Sequence, residues 1–482
     1  MSTINYLSVL PEIVIAVAAC LILMVDVFLP EHRRNVSYWL TQLALLIAAC
    51  AALQAFARHP GALKAFHNMI VSDMVAAVLR IACFVTVSLM LFYGRSYLNA
   101  RNLFRGETFV LTLFALLGMQ VMVTGNNFLT LYLGLELLSL SLYALTAMAK
   151  ERPQAAEAAM KYFVLGALAS GMLLYGMSMI YGTTGTLDVD LVASGISARH
   201  DNPMLLIFGL VFVVSGIAFK LGAVPYHMWI PDVYDGAPTA ITLLVGSAPK
   251  LAAFALALRL LAGALPGTAI DWQQMLIVLS LLSMILGNLI AIAQTNIKRM
   301  LAYSTIANMG FMLLGFLAAG TDGFSSAMFY TIAYVFTTLA SFGMIMLLSR
   351  EGFEGDRLDD FKGLNKRSPW WAFIMLLVMF SLAGIPPTLG FYAKFIVFTA
   401  AVTEGFVWLT VIAVITSLIG AFYYLRIVKL MYFDEPLSDA PIVARADTQL
   451  LLSGNGLLLL VLGIFPQGLM SLCAFAMTQS NY

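Results

Sequence analysis

Six ionisable side chains stand inside stretches otherwise apolar enough to cross a membrane: Arg80, Glu136, Lys161, Lys220, Lys250 and Lys394. A charged group at the bilayer centre costs about 2.5–3.5 kcal/mol on insertion scales, so each needs a partner, a hydrated cavity or a task. Glu136 lies about nine residues into NNFLTLYLGLELLSLSLYAL, which at a rise of about 1.5 Å per residue is near the midplane. Lys220 is at similar depth in FVVSGIAFKLGAVPYHMWIPD, just before Gly222 and Pro225. A carboxylate and an ammonium at that depth hold their charges best as a pair. Making and breaking the pair changes the lysine's hold on its proton, which is the physics of a switchable proton site. The competing reading is a static ion pair bracing two helices.

Lys250 follows Pro249 near the centre of the next span, which contains no acidic residue to pair with it. Its stem barely reaches either surface, so snorkelling explains it less well than a place on a proton relay. Lys394 follows a second Gly/Pro interruption, in LAGIPPTLGFYAKF, where a broken helix would turn freed carbonyls and water toward it. Lys161 is near one membrane face and is either an auxiliary relay lysine or a snorkelling anchor. His227, two residues after Pro225, titrates near neutrality and is weighed as relay against a structural histidine. Arg80 and Asp73 share a helix face, and a guanidinium does not release its proton usefully, so both read as structural. Lys298 and Arg299 at the start of a span read as charge-rule anchors.

The elements that must position these groups are membrane helices. Of 482 residues 61% are hydrophobic and 11% charged, against roughly 25% charged in soluble domains. Hydropathy gives about fourteen spans, an all-α polytopic membrane protein. The seventh (204–231) and twelfth (370–400) are too long and carry the interruptions at 222–225 and 384–387. They are five spans apart, an odd number, which predicts two inverted five-helix repeats. The expected organisation is three leading helices (1–107), a first repeat (108–264), a second, inverted repeat (265–431), and a connector with the last helix (432–482). Seventeen of the 26 basic residues fall in loops on one side of the membrane. Only Arg58, Lys64, Arg199 and Arg259 fall in loops on the other, so both termini are expected outside. VAAC at 17–20 looks like a lipoprotein box, but residues 1–12 hold no Lys or Arg, so the first span reads as retained.

Other chemistry is disfavoured. The four cysteines, Cys20, Cys50, Cys83 and Cys473, form no paired motif, which argues against iron–sulfur clusters and structural zinc. Among His32, His59, His67, His200 and His227 only the last is inside a span, so a bis-histidine haem is excluded. There is no P-loop, dinucleotide fingerprint or nucleophile elbow. A net charge of +1 gives no bulk attraction to nucleic acid. No cofactor or metal is expected on this chain, and its energy must come from an ion gradient or a partner.

The sequence also resembles a known family. FKLGAVPYHMWIPDVYDGAPTAITLLVGSAPK is similar to the broken seventh helix and following helix of the antiporter-like subunits of respiratory complex I. NIKRMLAYSTIANMGF resembles their ninth-to-tenth connection, and SLAGIPPTLGFYAKF their broken twelfth helix. Of three branches sharing this core, one is favoured by a lysine at 394, by RIVKLMYFDEP (426–436), and by the lack of room after 482 for a long lateral helix. The resemblance implies that Glu136 and Lys220 form the modulating pair, Lys250 the central relay, Lys394 the terminal lysine and Lys161 an auxiliary. It implies a bacterial inner-membrane protein beside paralogous antiporter-like and peripheral subunits, with NADH, FMN, iron–sulfur clusters and quinone bound by partners. Related chains often carry a tenth-helix histidine where this one has Asn308, so a path through Tyr303, Ser304 and Asn308 would rely on water.

The expected function is proton translocation coupled to NADH oxidation and quinone reduction in other subunits. One rival is a subunit of a multi-subunit cation/proton antiporter. Sodium favours oxygen ligands, usually carboxylates, and an axis mainly of lysines suits protons better. The other is a scaffold that transports nothing, in which the lysines would tolerate Met or Leu.

Overall fold

Lipid offers no partner to a backbone N–H or C=O, so a chain this apolar satisfies both within helices. The computed structural model describes residues 6–58, 61–198, 203–437, 442, 445–480 and 482. Readings that rest on His59, Arg199 and His200 lie outside them. Helices α1 (Leu10–Val27), α2 (Asn35–Arg58) and α3 (Met74–Ala100) come first, with a hairpin of β1 (Leu63–Ala65) and β2 (Ile70–Ser72) before α3. Then come α4 (Gly106–Thr124), α5 (Phe128–Thr146), α6 (Pro153–Thr184) and the short α7 (Val189–Ala198). The next group is α8 (Pro203–Leu221), α9 (Trp229–Gly236), α10 (Thr239–Gly246) and α11 (Ala248–Ala257), which runs into a π-helical turn at Leu258–Ala264. After it come α12 (Ala269–Ile292), α13 (Ile297–Ala318) and α14 (Gly320–Leu348). Last are α15 (Leu364–Arg367), α16 (Pro369–Ala383), α17 (Leu389–Thr403), α18 (Val407–Phe433), α19 (Ala446–Ile464) and α20 (Gln467–Gln479).

Among the described residues, 13 helical segments are long and apolar enough to cross a membrane. The chain is an all-α polytopic membrane protein. The expected twelfth span is two helices of 15 residues each, α16 and α17. The expected last span is also two, α19 and α20, because Pro466 has no N–H to continue the first. The segment 239–264 and helices α13 and α14 are the most enclosed, with 94% of their central windows buried. Polar residues on these three therefore line the inside of the bundle. Helices approach closely where side chains are absent. A Cβ on Gly118 would stand 2.5 Å from the Leu138 nitrogen, and one on Gly134 2.8 Å from that of Met122, so the backbones of α4 and α5 touch.

Arg80 and Asp73 each have their own partner. Arg80 donates to Glu12 of α1 and to the Ser8 carbonyl, at 3.1 Å. Asp73 caps α3 by accepting from the Ala76 N–H at 2.8 Å. Its two oxygens also take the Arg259 guanidinium at 2.6 and 2.9 Å. Arg259, read from the sequence as a loop residue, is instead buried in the π-helical turn, and it also reaches Val123 O at 3.3 Å. Removing one charge of such a pair strands the other. Asp73→Asn keeps the cap but not the anion, and should destabilise the protein by about 3–5 kcal/mol. Thermal unfolding of the detergent-solubilised assembly, compared with wild type, measures this.

Candidate functional site

Two helices stop inside the bundle in the same way. At the end of α8 the Gly222 and Ala223 N–H groups both donate to Ala218 O at 2.8 Å. At the end of α16 the Gly384 and Ile385 N–H groups both donate to Phe380 O at 2.9 Å. This is the Schellman pattern, and it needs a left-handed residue after the helix. Gly222 (φ 83°) and Gly384 (φ 79°) supply it. A helix that stops this way leaves its last carbonyls without N–H partners.

An amine takes each set. Lys250 of α11 donates to Leu221 O at 2.8 Å and approaches Lys220 O at 3.4 Å, with its Nζ 5.4 Å from the centre of the Trp229 ring. Lys394 of α17 donates to Leu382 O at 3.1 Å, Ala383 O at 3.0 Å and Ser417 Oγ at 2.9 Å, with its Nζ 4.9 Å from the Phe311 ring. The glycines also make room, since a Cβ on Gly384 would stand 2.8 Å from Lys394 Cδ. The C-terminal end of a helix favours a cation, so carbonyl and dipole act together.

Lys220 is held differently. Its Nζ donates to Ser139 Oγ at 2.5 Å, and Ser139 donates in turn to Leu135 O at 2.5 Å. Ser139 follows Glu136 by three residues on α5, so the two polar groups share a helix face. No ion pair within 4.0 Å joins Glu136 to Lys220, and Glu136 Oε1 is buried without a hydrogen-bond partner among the described residues. Lys161 stands at the membrane edge, bound to Asp232 and Glu157 at 2.8 Å each. His227 lies between α8 and α9 with Nδ1 buried and unpartnered among the described residues. Lys220, Ser139 and Lys250 are thus gathered at the first interruption. Lys394 is at the second, His227 follows the first by two residues, and Lys161 is bonded to neither.

Two short chains of hydrogen-bonded polar groups are built on α13 and α14. Tyr330 donates to Asn308 Oδ1 at 2.7 Å, and Asn308 Nδ2 donates to Ser304 O at 2.8 Å. Ser304 Oγ is 2.5 Å from the Tyr424 hydroxyl. Tyr334 donates to Thr305 Oγ1 at 2.7 Å, which is 3.5 Å from the Tyr234 hydroxyl. Asn308, Tyr330, Tyr334, Thr337, Ser381 and Lys394 line one small cavity of about 10 Å³, the space of about one water centre. Asn308 therefore bonds directly to its neighbours, and Tyr303 makes no hydrogen bond in either chain of groups.

A charged cleft of about 360 Å³ opens at the basic end, lined by Lys161, Asp232, Lys298, Arg299 and Glu354 among others. Lys298 is more than the anchor its position in the sequence suggests. It is buried and donates to Asp235 O at 2.9 Å and Ala237 O at 2.8 Å, around the end of α9. Glu354, in the loop after α14, accepts from Tyr97, from Thr239 Oγ1 at 2.8 Å and from Arg101 at 2.8 and 3.0 Å. Burial alone would raise its pKa, but the Lys298 ammonium, the Tyr97 hydroxyl and Arg101 outweigh it and hold the carboxyl at about 2. Glu354, Ser139 and Ser417 were not singled out from the sequence. Nothing in the local pattern around a loop glutamate or a helical serine reports what it meets across the fold. Among the described residues no group of three or more His, Cys, Asp or Glu could hold a metal.

Residues 125–420 match the family described as NADH:quinone oxidoreductase/Mrp antiporter, transmembrane. The chain is 58% identical over 472 residues to NADH-quinone oxidoreductase subunit N of Methylovorus glucosotrophus, covering 98% of this chain and 97% of that one. It belongs to the subunit N family of NADH-quinone oxidoreductase. A chain of respiratory complex I from Thermus thermophilus superposes with a TM-score of 0.83 at 31% identity, over 96% of this chain and 99% of that one. A chain of the Mrp complex from Dietzia sp. gives 0.86 at 20% identity, over 99% and 98%, a likeness of fold alone. The likeness to subunit N thus extends over nearly the whole length of the chain. The chain is part of a bacterial multi-subunit oxidoreductase whose cofactors are carried by other subunits.

The charged cleft gives a pH-dependent prediction. Held at about 2 instead of 4.5, ionised Glu354 stabilises the fold above pH 4.5, and this contribution is lost as pH falls from 4.5 towards 2. Glu354→Gln should lower the thermal midpoint of the solubilised complex near neutral pH and flatten its fall across that acid window. Thermal melts of both forms from pH 7 downwards read out both effects.

Proposed function

We propose that this subunit carries protons through the membrane along Glu136, Lys220, Lys250 and Lys394, driven by NADH oxidation and quinone reduction in partner subunits. The observation that supports this best is the placing of Lys250 and Lys394 on the open ends of two interrupted helices. An amine held by carbonyls keeps its position whether or not it carries the extra proton, as a relay station must. Tyr330 and Tyr334 line a small cavity with Lys394, and Tyr334 bonds on to Thr305. Lys161 and His227 are auxiliary in this reading. NADH, FMN, iron–sulfur clusters and quinone belong to the partners, and the neighbours in the membrane include paralogous antiporter-like subunits. The shared hydrogen-bond pattern at Gly222 and Gly384 supports two inverted repeats, 108–264 and 265–431. The bias of basic loops supports termini on the periplasmic side of the inner membrane.

Sodium transport is less well supported. Glu136 is the one carboxylate on this axis, and sodium needs several oxygen ligands. Lys250→Ala and Lys220→Ala, made separately in the intact complex, should lower proton pumping per NADH oxidised severalfold in inverted vesicles. They should do so equally in sodium-free buffer. Unchanged pumping would defeat the relay and favour a scaffold, and a loss seen only with sodium present would favour the antiporter reading.

A further inference from the structure

A cavity of about 270 Å³ between the ends of α3 and α14 and the start of α19 has no place in the proton path. Four guanidinium groups line it, from four separate segments: Arg101, Arg350, Arg367 and Arg445. No acidic side chain lines it among the described residues. Two carboxylates stand behind it, Glu354 holding Arg101 at 2.8 Å and Asp447 holding Arg445 at 3.1 Å. The Arg350 guanidinium lies 5.1 Å from the centre of the Phe353 ring. Arg101 also reaches Phe353 O through Nη2, yet its Nη1 is buried without a partner among the described residues. Arg101 Nη1 and the Arg350 guanidinium thus still offer N–H groups, and an anion in the cavity would satisfy both.

The planar fork of a guanidinium matches the oxygens of a phosphate group. One wall of the cavity is apolar, made by Met346 and Leu347 at the end of α14. The level in the membrane is marked by Trp370, three residues after Arg367. It is half exposed and donates to Ser453 Oγ of α19 at 2.8 Å. Tryptophans in this position sit at the headgroup layer, and basic pockets between helices at that layer suit anionic lipid. We propose that this cavity binds the phosphate of an anionic membrane phospholipid, with the arginines around the headgroup and the glycerol against Met346 and Leu347.

Photolabelling of the intact complex in nanodiscs tests this. A diazirine-bearing phosphatidylglycerol is compared with the phosphatidylcholine analogue of the same chains, and labelled peptides are mapped. Phosphatidylglycerol should label the segments 93–101 and 346–350 about tenfold more than phosphatidylcholine, the preference expected from one or two charge-assisted contacts. The doubly substituted R350Q/R445Q complex should lose that preference while labelling elsewhere and NADH oxidation stay as in wild type. Millimolar inorganic phosphate should leave the labelling intact. Equal labelling by both lipids, or labelling that survives the substitutions, would overturn the proposal. Labelling abolished by inorganic phosphate would mean a small-anion site and overturn the lipid assignment. Where the double variant fails to assemble, the lipid comparison in wild type decides alone, since absence of preference there is enough to reject it.

Discussion

A lysine ammonium inside a membrane must find oxygen atoms, and a helix offers none while its own ladder is complete. The interruptions at Gly222 and Gly384 resolve both sides of this constraint. Each releases carbonyls that hydrocarbon could not solvate, and each set is taken by one amine, Lys250 or Lys394. Neither half is stable alone. The broken end without its lysine leaves orphan carbonyls, and the lysine without its broken end is a bare charge in lipid. Lys298 at the end of α9 and Arg259 at the end of α4 follow the same rule. These four cations of the interior are placed by where helices stop.

This divides the axis into fixed and loose members. Lys250 and Lys394 are pinned by backbone, which cannot move without rearranging a helix end. Lys220 is held by a single serine hydroxyl, and Glu136 has an oxygen with no hydrogen bond. Ser139 joins the two regimes, since its hydroxyl is anchored to α5 and its lone pair faces Lys220. Any signal arriving from a neighbouring subunit would act most cheaply on Glu136 and Lys220. In the proposed path, the pinned lysines would provide positions that stay constant while protons pass.

Much of this was readable in the chain itself. Lysines inside apolar runs and Gly/Pro pairs in over-long spans are local signals, and both point to the interruptions. Pairing is a different kind of information. Glu12 reaches Arg80 across 68 residues, and Asp73 reaches Arg259 across 186. The tertiary packing chooses these partners, and no period or spacing encodes them. Lys298 shows the limit clearly. Its place at the start of a span matches the charge rule for a surface anchor, yet the loop carrying Glu354 folds over it and makes it interior. Asn308 is a smaller case. Its type suggested a path relying on water, and nothing in the local sequence told that Tyr330 of α14 would donate to its side chain.

The buried cations are also sorted by whether they can lose a proton. Arg80 and Arg259, permanently charged, are each paired with a carboxylate. Lys220, Lys250, Lys298 and Lys394 have carbonyls or hydroxyls instead, and among the described residues none has a carboxylate within 4.0 Å. A lysine paired with a buried anion could not deprotonate without stranding that anion. A lysine on carbonyls can. The ammonium at 394 uses its three hydrogens on Leu382 O, Ala383 O and Ser417 Oγ. The neutral amine keeps two for the carbonyls and turns its lone pair to Ser417, whose hydroxyl can donate as well as accept. The same three contacts therefore serve both protonation states, and only the direction of one hydrogen bond changes.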